Sequence, residues 1–310
     1  MMKIYLLPFM VTTFSALSLT TSAQAQTQAQ AVTELNHSTL VADGPDTGLT
    51  AYALIQNVFG KRAIESPDLY RGNHTDRAHI YEDTDEIVGP HFVFLSHRDH
   101  DRDRDKDITD RQRNEIKAYV HSKRSFKAYE GETMQYRWKF KIDSDFEFSK
   151  SFTHFFQIKS KNVSKLKNTK DSDKFPVVTI SAVDKGDGRN ELQLRHSPSL
   201  DENGVRSKST KLVRKNMSLF ADQWIEFFVE ATYAEAGTLK FQARNIETDE
   251  LLVDFETKDI DMWRGERRED FARPKWGIYR SLKNKDSLRS EEEQARFADF
   301  SVRKIRLNAL

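Results

Sequence analysis

Apolar and polar residues alternate with period two along much of the chain from His91 onward. The run Met134 to Ile142 sets Tyr136, Trp138, Phe140 and Ile142 against Arg137, Lys139 and Lys141. That is the pattern of a strand with one face in a core and the other wet. Similar short runs, aromatic and β-branched and bounded by turn residues, predict strands at 91–95, 112–119, 153–159, 177–182, 191–195, 224–231, 238–245, 251–256, 276–281 and 297–305. Gly237 between two of them predicts a hairpin. Helical periodicity is scarce. Ser287–Arg296 is the best short-helix candidate, and Ala51–Val58 reads as a short strand or helix. Residues 33–90 are otherwise irregular, with Pro45, Pro67 and Pro90. About a dozen short strands, with no internal repeat and no linker after residue 90, predict an all-β fold: a two-sheet antiparallel sandwich of jelly-roll type. One domain over residues 51–310 is expected.

The N-terminus has a different character. Lys3 precedes an apolar run from Ile4 to Leu19, followed by the small residues of Thr20–Ala25. This predicts a secretory signal peptide over residues 1–25, cleaved after Ala25, and then a polar leader over 26–50. The apolar run is short for a membrane span, which needs about 20 residues. A secreted or periplasmic, soluble protein with no membrane partner is expected, as a monomer. The chain has no Cys, so export adds no disulfides and the 21 Phe, 9 Tyr and 4 Trp must supply the core. Charged residues make up 31% with a net charge of +1. Such a balance lacks the basic footprint of a nucleic-acid binder.

Three strands carry charge where a core strand would not. In 107–119, Arg111, Arg113, Glu115 and Lys117 share one face. In 153–160, Phe155, Gln157 and Lys159 share one face and His154, Phe156 and Ile158 the other, so His154 reads as a structural histidine. In 273–281, Lys275, Gly277, Tyr279 and Ser281 share a face, while Arg280 points the other way and is expected in an ion pair. If the three strands lie in one sheet, Arg113, Gln157, Lys159 and Tyr279 converge on a groove. Arg and Lys bind carboxylates, Gln binds a carboxylate or hydroxyl, and Tyr transfers protons. This kit suits proton removal next to a carboxylate, because cationic and amide partners stabilise the dianionic intermediate.

The same segments resemble the signature motifs of jelly-roll polysaccharide lyases, which share a concanavalin A-like fold. Alginate lyases of that fold carry R-x-E-L-R, Q-I-H or Q-V-H, and Y-F-K-x-G-x-Y-x-Q. This chain reads Arg113-Asn114-Glu115-Ile116-Lys117, Gln157-Ile158-Lys159 and Lys275-Trp276-Gly277-Ile278-Tyr279, in the same order. The resemblance covers roughly residues 90–305. Lys159 stands where alginate lyases have His, and Ser281 where they end on Gln. Those departures are closer to the ulvan and glucuronan lyase types, and favour a glucuronate-type polymer, sulfated or not, over alginate. The resemblance implies β-elimination on an anionic polysaccharide, with Tyr279 as the proton-transfer residue. In β-linked glucuronate the C5 hydrogen and the C4 oxygen lie on the same side, so one Tyr can serve as base and acid. Arg113 and Gln157 would hold the carboxylate. Lys159 would neutralise charge or act as the base, and Glu115 would orient Arg113 or Lys117. Arg111, Glu115, Lys117, Lys275 and Ser281 complete the expected substrate-binding face.

The competing reading is a noncatalytic, lectin-like carbohydrate-binding module. A glycoside hydrolase of the same fold needs two carboxylates flanking the bond, and no strand supplies such a pair. No metal is expected to be required. Alternating aspartates at 99–107 admit calcium at Asp101, Asp103 and Asp105, but basic residues between them favour a solvated loop. Zinc is not expected, since paired-His spacing and Cys are lacking. Arg264, Arg267 and Arg268 read as a rim loop for a polyanion.

Overall fold

The alternation in the Met134 run is realised in β6 (Thr133–Ile142), where Met134, Tyr136, Trp138, Phe140 and Ile142 are buried and Arg137 is exposed. A computed structural model describes residues 32–105, 107–163, 172–201, 205 and 207–307. The expected signal peptide and the first part of the leader lie outside them.

Among the described residues the other strands are β1 (Val32–Leu40), β2 (Ile64–Glu65), β3 (Ile80–Asp85), β4 (Gly89–Ser96), β5 (Arg111–Lys117), β7 (Thr153–Lys161), β8 (Pro176–Asp184), β9 (Asn190–His196), β10 (Thr210–Asn216), β11 (Ile225–Thr232), β12 (Gly237–Asn245), β13 (Leu251–Ile260), β14 (Phe271–Ser281) and β15 (Glu293–Leu307). They form two antiparallel sheets. One runs β13-β12-β11-β6-β15-β4-β3, with β1 also on β15, and the other runs β10-β9-β8-β7-β14-β5-β2. The expected hairpin is β11–β12. The facing sides of the two sheets share one aromatic core, in which Trp138 stacks on Phe156 at 4.7 Å and Phe140 meets Phe155 at 4.9 Å. No helix among the described residues is long and apolar enough to cross a membrane.

Two expectations are corrected here. The helix expected at Ser287–Arg296 does not form; Glu293 already begins β15, whose residues pair with β4 and β6. The charged i, i+3 pattern there reflects a loop running into a strand. Residues 32–40, expected in the leader, form β1 and pair along β15. Their side chains are mostly exposed, so the strand leaves no apolar pattern; its backbone hydrogen bonds hold it. The ambiguous 51–58 segment is helix α1 (Ala51–Phe59), capped by the Thr50 hydroxyl accepting from the Ala53 amide at 3.3 Å.

Candidate active site

The three charge-bearing strands are direct neighbours, in the order β7-β14-β5. Their register defines the site. Tyr279 lies opposite Arg113 on one side and His154 on the other. The Gly277–Glu115 rung follows, and the one after it joins Lys117, Lys275, Gln157, Thr179 and Arg195 across β5, β14, β7, β8 and β9. Lys159 lies one rung further, opposite Arg273. Above these rungs opens a cleft of ≈ 700 Å³, lined by Arg111, Arg113, His154, Gln157, Lys159, Arg195 and Tyr279 among others.

Two backbone irregularities shape that floor. Between His154 and Phe156 the pairing of β7 with β8 slips by one residue, which is a β-bulge. The bulge turns both Phe155 and Phe156 into the core and returns His154 to the cleft side with Gln157 and Lys159. His154 is therefore not on the opposite face, as strict alternation predicts. The second irregularity is Gly277, at φ +131°, where a Cβ would stand 2.2 Å from the Asn114 carbonyl oxygen and 2.8 Å from Glu115 Cα. Only glycine lets β14 approach β5 this closely.

Tyr279 is held by arginine on two sides. The Arg113 guanidinium stacks 3.7 Å from its ring centroid, and Arg111 Nη1 donates to its hydroxyl at 3.1 Å. Burial pushes the phenol up, while Arg113 and Arg111 pull it down; the net direction is up. His154 Nδ1 lies 2.7 Å from Ser181 Oγ, which itself donates to Thr179. Ser181 therefore accepts the Nδ1 proton, and the His154 Nε2 lone pair is left free. Burial holds this imidazole well below its usual range, with Arg195 adding to the effect, so it is neutral near pH 7.

Beneath the cleft lies a buried charge network. Glu115 accepts from Arg113, from Gln157 Nε2 and from Lys275 Nζ at 2.5 Å. Glu65 accepts from Lys275 at 2.8 Å and Lys117 at 2.5 Å. Asp103 holds Arg113 through Nε at 2.7 Å and Nη2 at 3.1 Å. Burial raises Glu65, but Lys275, Arg113 and Lys117 outweigh it and keep the carboxylate well below its normal range. Three carboxylates thus face Arg113, Lys117, Lys275 and the buried Arg273, with Lys159 beyond. The excess is positive. Burial, reinforced by Lys275, Arg113 and Arg273, lowers the Lys159 ammonium to about 7.

The predicted residues divide accordingly. Tyr279, Arg113, Gln157, Lys159 and Arg111 line one cleft. Lys159 sits along the cleft from Tyr279, and its Nζ donates to the Lys174 carbonyl at 3.1 Å. Arg113 and Gln157 are turned to protein carboxylates. Glu115, Lys117 and Lys275 are buried: Lys275 bridges Glu115 and Glu65, and Lys117 pairs with Glu65. Ser281 is also buried, and its hydroxyl meets the Lys283 amide at 3.4 Å. Arg280 faces the core and pairs with Glu293, as alternation predicts. Arg264 is not on a rim; it is buried and donates to the carbonyls of Phe175, Pro176 and Pro198. The alternative calcium trio does not converge: Asp101 turns to histidines, Asp103 to Arg113, and Asp105 is exposed. Reading alone missed His154, Glu65 and Arg195, since a bulge, a two-residue strand and a distant strand carry them.

No protein-family model and no curated protein sequence matches this chain. Solved structures do match in fold. An endo-β-1,4-glucuronan lyase from the fungus Trichoderma reesei aligns with a TM-score of 0.52 at 12% identity, over 87% of this chain and 95% of that one. A PL-14 alginate lyase from Aplysia kurodai aligns with a TM-score of 0.54 at 12% identity, over 85% and 97%. The alginate lyase Aly36B aligns with a TM-score of 0.51 at 11% identity, over 88% and 99%. The fold is that of the jelly-roll polysaccharide lyases.

Proposed function

We propose that this protein is an exported lyase that cleaves a uronate-containing polysaccharide, of glucuronate type, by β-elimination. The observation that carries the reading is Tyr279, clasped between Arg111 and Arg113 on the floor of a cleft with a positive excess. An acidic polymer is drawn to such a floor. Asp103 is the one carboxylate among the described cleft-lining residues, and it is locked on Arg113. That argues against hydrolysis, which needs two. A lectin-like module would have no use for a phenol placed between guanidinium groups.

In this mechanism Arg111 meets the carboxylate of the reacting uronate, the Gln157 carbonyl oxygen accepts from a sugar hydroxyl because its amide is given to Glu115, and Arg195 and Lys159 meet the neighbouring uronate along the cleft. Arg113 acts through Tyr279: its stacked charge favours the phenolate that removes the C5 proton. The same hydroxyl then returns a proton to the departing O4, so atoms balance without water. Neutral His154, across the rung, accepts a hydrogen bond from substrate or phenol at Nε2. The fold comparisons support the reaction class, since glucuronan and alginate are the substrates named for the aligned enzymes.

The test is ultraviolet absorbance of the unsaturated uronate product on a panel of glucuronan, ulvan, heparin-type glycans and alginate. Glucuronan or ulvan should give the largest signal. Tyr279→Phe should lower kcat by about 10²–10⁴-fold, the contribution of a positioned proton-transfer group. It loses only one hydrogen bond, from Arg111, so unfolding should shift by about 1 kcal/mol. Full activity in the folded variant contradicts the assignment.

A further inference from the structure

Away from the cleft, four side chains that the mechanism does not use meet behind the loop carrying Asp103. His74 and His79 come from the segment before β3, and His97 and Asp101 from the turn after β4. His74 Nδ1 and His79 Nε2 are 3.0 Å apart, and each approaches the same Asp101 oxygen, at 2.8 and 3.0 Å. His97 Nδ1 is 3.4 Å from the other Asp101 oxygen. One donor atom from each of the four lies within 4.8 Å of the rest. Donors about 2.0–2.1 Å from a tetrahedral zinc stand roughly 3.3 Å from one another, so the contacts of 2.8–3.4 Å match such a shell closely and the remaining pairs, all within 4.8 Å, need only a small inward shift.

The outer nitrogens make the case specific. His74 Nε2 is held by Asp76 at 2.8 Å, His79 Nδ1 by the Arg77 carbonyl at 3.0 Å, and His97 Nε2 by Glu292 at 2.9 Å. An outer N–H given to oxygen fixes the tautomer whose inner nitrogen carries the lone pair, as in carboxylate–histidine–metal triads. Three lone pairs and a carboxylate then face one point. His97 Nδ1 is buried and makes no hydrogen bond. A cation at that point satisfies all four groups together.

We propose that His74, His79, His97 and Asp101 bind one zinc ion. Three imidazoles and a carboxylate suit zinc; calcium prefers an all-oxygen set. With four protein ligands, three of them almost fully buried, the site is closed and structural rather than catalytic. It ties the 74–79 segment to the loop from His97 to Asp103. That loop is already anchored by Asn73, whose side chain bonds both backbone groups of Arg102 at 3.0 and 3.2 Å. Two residues beyond Asp101, the same loop delivers Asp103 to Arg113. Spacing alone hid the site because its ligands are split between two segments separated by the β3–β4 hairpin.

The test uses the full chain without a polyhistidine tag, stripped with chelator and desalted. It is then titrated with zinc chloride and, in parallel, with cobalt, calcium and magnesium chlorides. Zinc should be retained at one ion per chain after desalting. Cobalt should give the intense visible bands of a tetrahedral N/O site, and zinc should displace it. At a hundredfold excess over Kd, zinc should raise the melting midpoint by roughly 5–10 °C, with no shift from calcium or magnesium. Asp101→Asn and His74→Ala should each weaken zinc retention at least tenfold; if either fails to fold, the chelation and cobalt results on the wild-type chain decide. Absence of retained zinc, of cobalt bands and of a midpoint shift would overturn the proposal, leaving a proton-bridged hydrogen-bond network. Unchanged zinc retention in both folded variants would overturn it equally.

Discussion

Tyr279 and Lys159 show how burial and charge assign separate tasks to two residues of one cleft. The phenol keeps its proton near neutrality because burial outweighs its two arginines, so activity should rise as the medium becomes alkaline and the phenolate is populated. The Lys159 ammonium is lowered to about 7. It is charged below that pH and neutral above it. If Lys159 grips a substrate carboxylate, KM for the acidic polymer should rise as pH climbs through about 7 and 8 in the wild-type enzyme. Lys159→Arg keeps its charge across that range, so the rise in KM should disappear while the alkaline gain in kcat persists. Initial rates at several pH values and substrate concentrations separate the two effects. Part of this was legible from residue types alone: Arg113, Gln157, Lys159 and Tyr279 do line one cleft. Glu115 as a partner of Arg113 was legible too, but the other carboxylates on Arg113 were not. Asp103 arrives from a loop whose alternating charges read as solvated, and Glu65 comes from a strand of two residues.

At the scale of elements, β7-β14-β5 is a platform whose local irregularities set the chemistry. Alternation correctly placed the core faces of β6 and β14. It failed at Phe155, because a bulge adds one residue to a strand and inverts the parity beyond it. Nothing in the composition of Thr153–Lys159 marks that insertion, so His154 stayed hidden. Gly277 was visible as part of a motif, and the structure supplies its reason in the close approach of β5. Gly277→Ala should destabilise the protein by about 1–3 kcal/mol, from a disfavoured φ and a Cβ driven against the Asn114 carbonyl. Denaturant unfolding measures this through the midpoint. Activity should fall beyond the loss of folded protein, because Tyr279 and Glu115 lie on the strands that must separate. An unchanged midpoint would mean that the two strands accommodate the methyl group.

For the molecule as a whole, the sandwich was legible because a large aromatic core forces alternation onto many strands at once. Strands with mostly exposed side chains, such as β1 and β10, escaped because few of their residues pack on the core and they carry no alternating apolar pattern. One sheet brings segments from residue 65 to residue 279 onto one floor, with a buried, net-positive network below it. The account stands on the chemistry of bond breaking at that floor: a chain cut without water. The decisive measurement is mass spectrometry of glucuronan or ulvan fragments made by the enzyme in heavy-oxygen water. Elimination predicts fragments with an unsaturated uronate at the new non-reducing end and no heavy oxygen introduced by the cleavage step, once slow anomeric exchange is subtracted. Saturated fragments carrying one heavy oxygen per cut would contradict it.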